Sequence, residues 1–86
     1  MIKKSIQINL VSGLEARPVA LLVQEASRYE STIYIQSGER RVNAKSIMGM
    51  MSLGLDNGEK LEVSAEGIDE QAAVEGIERF LGGKVA

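Results

Sequence analysis

A chain of 86 residues, 44% of them hydrophobic, suffices for one modest core and not for two, so residues 1–86 are expected to form a single domain. Its net charge of -2 supplies no basic field, which argues against direct contact with nucleic acid or an anionic membrane. With neither cysteine nor histidine it lacks disulfides, thiolate chemistry and the usual zinc ligands, and no metal or other cofactor is expected.

The opening Met1-Ile2-Lys3-Lys4-Ser5 lacks the continuous apolar stretch of a signal peptide, and no later run approaches the length of a membrane span. A soluble, cytoplasmic protein is the expectation. Ile6, Ile8 and Leu10 alternate with Gln7, Asn9 and Val11, the period of a strand buried on one face, which Ser12-Gly13 would end. From Ala16 the period changes. Val19, Leu22, Val23 and Ala26 fall at i, i+3, i+4 and i+7, one face of a helix with Pro18 in its first turn. Arg17, Ala20, Leu21 and Gln24 form a second stripe away from that face.

Thr32 to Gln36 is rich in β-branched and aromatic residues, Ser37-Gly38 signals a turn, and Arg40 to Asn43 returns as the second strand of a hairpin. Arg40-Arg41 reads as a solvated pair protecting a sheet edge. Ser46 is suited to cap a short helix through Ser52 or Leu53, with Asp56-Asn57-Gly58 breaking the chain afterwards. In that helix Ile47, Met50 and Leu53, at i, i+3 and i+6, are expected to make a core edge; this turns Met48 toward solvent and leaves Met51 at the margin. Leu61, Val63 and Ala65 alternate with Glu62 and Ser64 as a strand. Asp69 then caps a helix carrying Ala73, Ile77, Phe80 and Leu81 on one face, stopped by Gly82-Gly83. The order β-α-β-β-α-β-α predicts a two-layer α+β domain.

Gly13-Leu14-Glu15-Ala16-Arg17-Pro18 resembles the active-site signature of the HPr phosphocarrier family, with Glu15 where that family carries its phosphate-accepting histidine. Asn43-Ala44-Lys45-Ser46-Ile47-Met48-Gly49 resembles the sequence around the serine modified by the ATP-dependent HPr kinase/phosphorylase. The resemblance runs from the first strand to the last helix. It implies an open-faced sandwich: a four-stranded antiparallel sheet covered on one side by three helices. It is strongest toward the Crh type, the catabolite-repression HPr-like branch that keeps the serine and lacks the histidine. That implies a non-catalytic regulator, phosphorylated at Ser46 by the kinase/phosphorylase and then bound by a LacI-type transcriptional repressor as its corepressor.

Phosphate transfer between proteins at neutral pH suits an imidazole nitrogen, and this chain has none. Glu15 has three other readings: a carboxylate favoured by a helix N-terminus, worth about 0.3–1 kcal/mol; a site of acyl phosphate formation, which would make the chain a phosphotransferase carrier; or a fixed charge imitating a phosphohistidine, one negative charge against roughly -1.5 to -2. Arg17 gains nothing from the dipole at that helix end, and its donor fork suits carboxylate or phosphate. Leu21 beside Met48 would make a small apolar patch rimmed by Arg17 and Ser46. The candidate partner surface is therefore Glu15, Arg17, Ala20, Leu21, Gln24, Lys45, Ile47, Met48 and Met51. A constitutive module controlling a metabolic enzyme through that patch is the remaining alternative.

Overall fold

The computed structural model describes residues 1–8, 16–53 and 59–81. Seven elements follow one another: β1 (Ile2–Gln7), α1 (Ala16–Ser27), β2 (Thr32–Ser37), β3 (Arg40–Asn43), α2 (Ile47–Ser52), β4 (Lys60–Glu66) and α3 (Glu70–Phe80). The strands form one antiparallel sheet in the order β1-β4-β2-β3. The expected four strands and three helices are all present, in the expected order.

Alternation decides which face of the sheet is covered. Ile6, Ile33, Ile35, Leu61, Val63 and Ala65 point into a core that also takes Val19, Leu22, Val23 and Ala26 from α1 and Ala73, Val74, Ile77 and Leu81 from its partner helix α3 and the residue that ends it. Each large aliphatic side chain buried this way contributes about 1.5–3 kcal/mol. The opposite face carries Lys3, Ser5, Thr32, Tyr34, Gln36, Glu62 and Ser64 and is mostly polar.

The first strand departs from expectation. It occupies Ile2–Gln7, pairing Ile2 with Ala65 and Gln7 with Lys60, and the Ile8 amide extends the ladder to the Glu59 carbonyl at 2.9 Å. Lys3-Lys4 concealed this start, because the Lys4 ammonium pairs with Glu78 of α3 at 2.9 Å and so spends a charge on the covered side. Leu10, Ser12-Gly13, Asp56-Asn57-Gly58 and Gly82-Gly83 lie outside the described residues.

Asp69 holds the N-cap position of α3 but caps nothing with its side chain. Its carboxylate instead accepts the backbone N–H groups of Glu30 and Ser31, each at 2.9 Å, and the Ser31 hydroxyl. This brace joins the α1–β2 corner to the start of α3. Gly67 permits it: at φ +155° a side chain is strained, and a Cβ there would lie 2.7 Å from Ser31 Cα. The first turn of α3 is served by Glu70, which accepts the Gly67 N–H at 3.1 Å and pairs with the Met1 ammonium at 3.3 Å.

The Ser31 hydroxyl, then the Glu30 N–H, hold the Asp69 carboxyl below its ordinary pKa. A carboxyl depressed by folding adds stability that is complete above its unfolded pKa, about 3.9, and that fades as pH falls through the lower folded value. Asp69→Asn is accordingly expected to melt below the parent at pH 7, the gap narrowing as acidification passes about pH 4. Thermal melts across pH check this; a gap independent of pH would remove the carboxylate from the brace.

Candidate functional site

Ser46 is positioned by a short hydrogen-bonded turn. At the end of β3, Asn43 Oδ1 accepts the Lys45 N–H at 2.8 Å and the Asn43 carbonyl accepts the Ser46 N–H at 3.0 Å. Between them Ala44 is fully buried and its N–H donates to the Ile33 carbonyl at 2.9 Å, pinning the turn to the sheet. Ser46 is then left exposed with extended backbone, φ -106° and ψ 113°, as the N-cap of α2. Its carbonyl takes the first helical bond, from the Met50 N–H at 2.9 Å, and its Oγ accepts the Gly49 N–H at 3.1 Å.

Gly49 keeps this hydroxyl accessible. A Cβ at that position would stand 3.2 Å from Ser46 Oγ and 3.3 Å from Val42 Cβ, crowding the oxygen from the helix side. The chain at Gly49 is tied in turn: its carbonyl accepts the Ser52 hydroxyl at 2.6 Å, and Ser52 Oγ receives Arg40 at 3.2 Å. Arg40 thus links β3 to α2, while Arg41 stacks over the Tyr34 ring at 4.0 Å. The pair lies on an edge strand as expected, yet both guanidinium groups have partners. A glycine inside a six-residue helix was the available clue to the first of these devices; the arginine contacts have no local signature.

Anchoring of α2 falls to Met50, 1% exposed, with Leu53 half-buried beside it. Ile47 does not join them. It is 47% exposed, because steps of three residues drift by about 60° on a helix of 3.6 residues per turn, and with Met50 facing the core Ile47 turns out over the rim of the first turn. Met48 is 85% exposed and Met51 51%. On α1, which packs against α2, Leu21 is 45% exposed, Gln24 exposed and Ala20 half-buried. The adjoining helices therefore expose Leu21 on α1 and Ile47, Met48 and Met51 on α2, the helix that the solvent-facing Ser46 caps.

Other site residues fall differently. Lys45 does not wait beside Ser46: its ammonium donates to the Tyr29 carbonyl at 2.7 Å, where a cation is favoured just beyond the C-terminus of α1. Glu15 lies outside the described residues, and Arg17 is described only as part of the α1 backbone. Among the described residues no group of acidic side chains is placed to hold a metal, and no helix is long and apolar enough to cross a membrane.

Exposure separates the methionines of α2 energetically. Met48→Ala should shift stability by no more than about 0.5 kcal/mol, as ordinary surface changes do, whereas Met50→Ala should cost about 2–5 kcal/mol. Chemical denaturation of the two variants reads this directly, and a strongly destabilised Met48→Ala would assign Met48 to the core.

Three comparisons with known proteins bear on this site. Residues 2–82 match the family described as the PTS HPr component phosphorylation site. The chain is 47% identical over 81 residues to the HPr-like protein Crh of Halalkalibacterium halodurans, covering 94% of this chain and 96% of that one. It is 45% identical over 84 residues to the phosphocarrier protein HPr of Treponema pallidum, with 98% and 96% covered. Among solved structures, HPr from Thermoanaerobacter tengcongensis superposes with a TM-score of 0.90 at 44% identity, covering 95% of this chain and 92% of that one.

Proposed function

This chain belongs to the HPr family, and we propose that within it the chain is a Crh-type regulator and not a phosphocarrier: a cytoplasmic, non-catalytic protein phosphorylated at Ser46 by an HPr kinase/phosphorylase and then bound as corepressor by a LacI-type repressor in carbon catabolite repression. Overall similarity separates the two branches weakly, since the identities to a Crh and to an HPr are 47% and 45%. Chemistry separates them better. The observation that carries the reading is the pairing of a chain without histidine with a serine held exposed at the N-cap of α2.

A carrier must accept phosphate and release it to the next protein near neutral pH, a task that an imidazole performs and that a carboxylate of different reach and geometry does not inherit from its neighbours. A regulatory serine has simpler needs. Its hydroxyl must reach a kinase, and the product must not break the fold. Ser46 Oγ accepts the Gly49 N–H, and the residue is otherwise exposed, which leaves the hydroxyl open to an approaching kinase. A phosphoryl dianion there meets the free N–H groups and positive dipole end of a helix, which favours the modified protein. The exposed side chains of Leu21, Ile47, Met48 and Met51 supply adaptable apolar contact for partners that must read the same face. We include Glu15, Arg17, Ala20 and Gln24 in the proposed surface from the sequence, and Lys45 contributes by holding the turn before Ser46 against the end of α1.

Incubation with ATP and an HPr kinase/phosphorylase tests this reading. One phosphoryl group per chain, mapped to Ser46 by peptide mass spectrometry, is expected. Labelling at another serine, or none, would contradict it.

A further inference from the structure

We propose that Met48 is an oxidant-responsive site: conversion of its thioether to the sulfoxide by a peroxide weakens engagement of the kinase and repressor at the Ser46 face, and reduction of the sulfoxide restores it. This rests on the function proposed above. With no cysteine in the chain, its four methionines are the readily oxidised sulfurs. They are unequally guarded. Met50 is 1% exposed, Met51 51%, Met1 62% and Met48 85%. Met48 therefore reacts from the native state, whereas Met50 requires α2 to leave the sheet.

The reaction needs nothing from the protein beyond access. A sulfur lone pair attacks one oxygen of hydrogen peroxide; the S–O bond forms as the O–O bond breaks, and the departing hydroxide leaves as water after proton transfer. Sulfur loses two electrons and the peroxide gains them. The product is polar and chiral where the thioether was apolar and pliable, and methionine sulfoxide reductases reverse it.

Position turns this chemistry into control. Met48 lies two residues beyond Ser46, on the exposed side of a helix whose attachment to the core is made by Met50. Oxidation at Met48 thus leaves that attachment untouched and changes only what a partner meets: a sulfoxide oxygen, which prefers water, among Leu21, Ile47 and Met51. The fold remains and the docking surface is lost, so phosphorylation and oxidation act on one face with opposite effect.

The experiment uses the whole chain and a Met48→Leu variant under graded hydrogen peroxide. Peptide mass spectrometry should find sulfoxide at Met48 ahead of Met51, with Met50 last. Stoichiometric Met48 oxidation should lower repressor affinity of the Ser46-phosphorylated protein, and the rate of kinase labelling, by about ten-fold; treatment with methionine sulfoxide reductases should restore both. Met48→Leu, whatever affinity and labelling rate it starts from, should lose neither further on the same exposure to peroxide. Oxidation of Met50 in step with Met48, undiminished binding by the oxidised protein, or equal losses in the two chains would overturn the assignment. Failure of the unoxidised protein to be labelled at all would instead contradict the functional reading, and this inference with it.

Discussion

Ser46→Ala is expected to abolish labelling by the kinase and binding to the repressor while leaving a folded protein. The hydroxyl is both the proposed phosphate acceptor and the cap of α2, so the substitution also removes the 3.1 Å bond from the Gly49 N–H. Loss of a cap costs about 0.5–2 kcal/mol. That is small beside the core beneath it, where Met50, Ile33, Ile35 and Val63 are all 1% exposed or less. The melting temperature should fall modestly and circular dichroism should be retained. Ser46→Asp restores an acceptor and one charge, against roughly -1.5 to -2 for a phosphoryl group, and should recover repressor binding only in part. Full labelling of Ser46→Ala would move the modification elsewhere.

Incubation with phosphoenolpyruvate and enzyme I is expected to leave the intact mass unchanged. An HPr phosphocarrier takes its phosphate on an imidazole nitrogen, and no imidazole exists anywhere in the chain. Glu15→His tests whether only the acceptor was lost. Arg17 and Pro18 still follow that position and α1 still begins at Ala16, so the substituted histidine is expected to take up phosphate. Failure of Glu15→His to do so would mean that the docking surface has diverged as well. A phosphate adduct on the parent chain that disappears in Glu15→Gln would establish acyl phosphate chemistry and overturn the regulatory assignment.

Much of the architecture was legible because its signals are local. Leu61, Val63 and Ala65 alternate and are buried; Val19, Leu22, Val23 and Ala26 repeat at helical spacing and are buried; Ser46 has the chemistry of an N-cap and serves as one. What was not legible depends on residues far apart in the chain. Asp69 reads as a helix cap, and only the approach of the α1–β2 corner, made possible at Gly67, diverts its carboxylate to Glu30 and Ser31. The strand's start at Ile2 was hidden because Lys4, a charged residue on the covered side, is balanced by Glu78 from distant α3. Lys45 reads as a free cation next to Ser46, yet its ammonium donates to the Tyr29 carbonyl. Ile47 was misplaced for a different reason: each three-residue step falls about 60° short of a full turn, so with Met50 facing the core Ile47 is carried off that face.

In the function proposed, phosphate on Ser46 changes what the protein binds through local charge, with the fold unchanged. With Lys45 held at the α1 corner through the Tyr29 carbonyl, a cation supplied by the partner is expected to meet the phosphate. One arginine or lysine supplied by the repressor, making a charge-assisted contact worth roughly 1.5–3 kcal/mol, corresponds to about ten-fold to more than a hundred-fold in affinity. Added salt should erode the difference. Repressor affinity for the phosphorylated and unphosphorylated chain, measured at matched ionic strength, is the most direct test: a gain within that range that shrinks as salt rises is the predicted result, and equal affinities would contradict the switch and leave a constitutive binding module in its place.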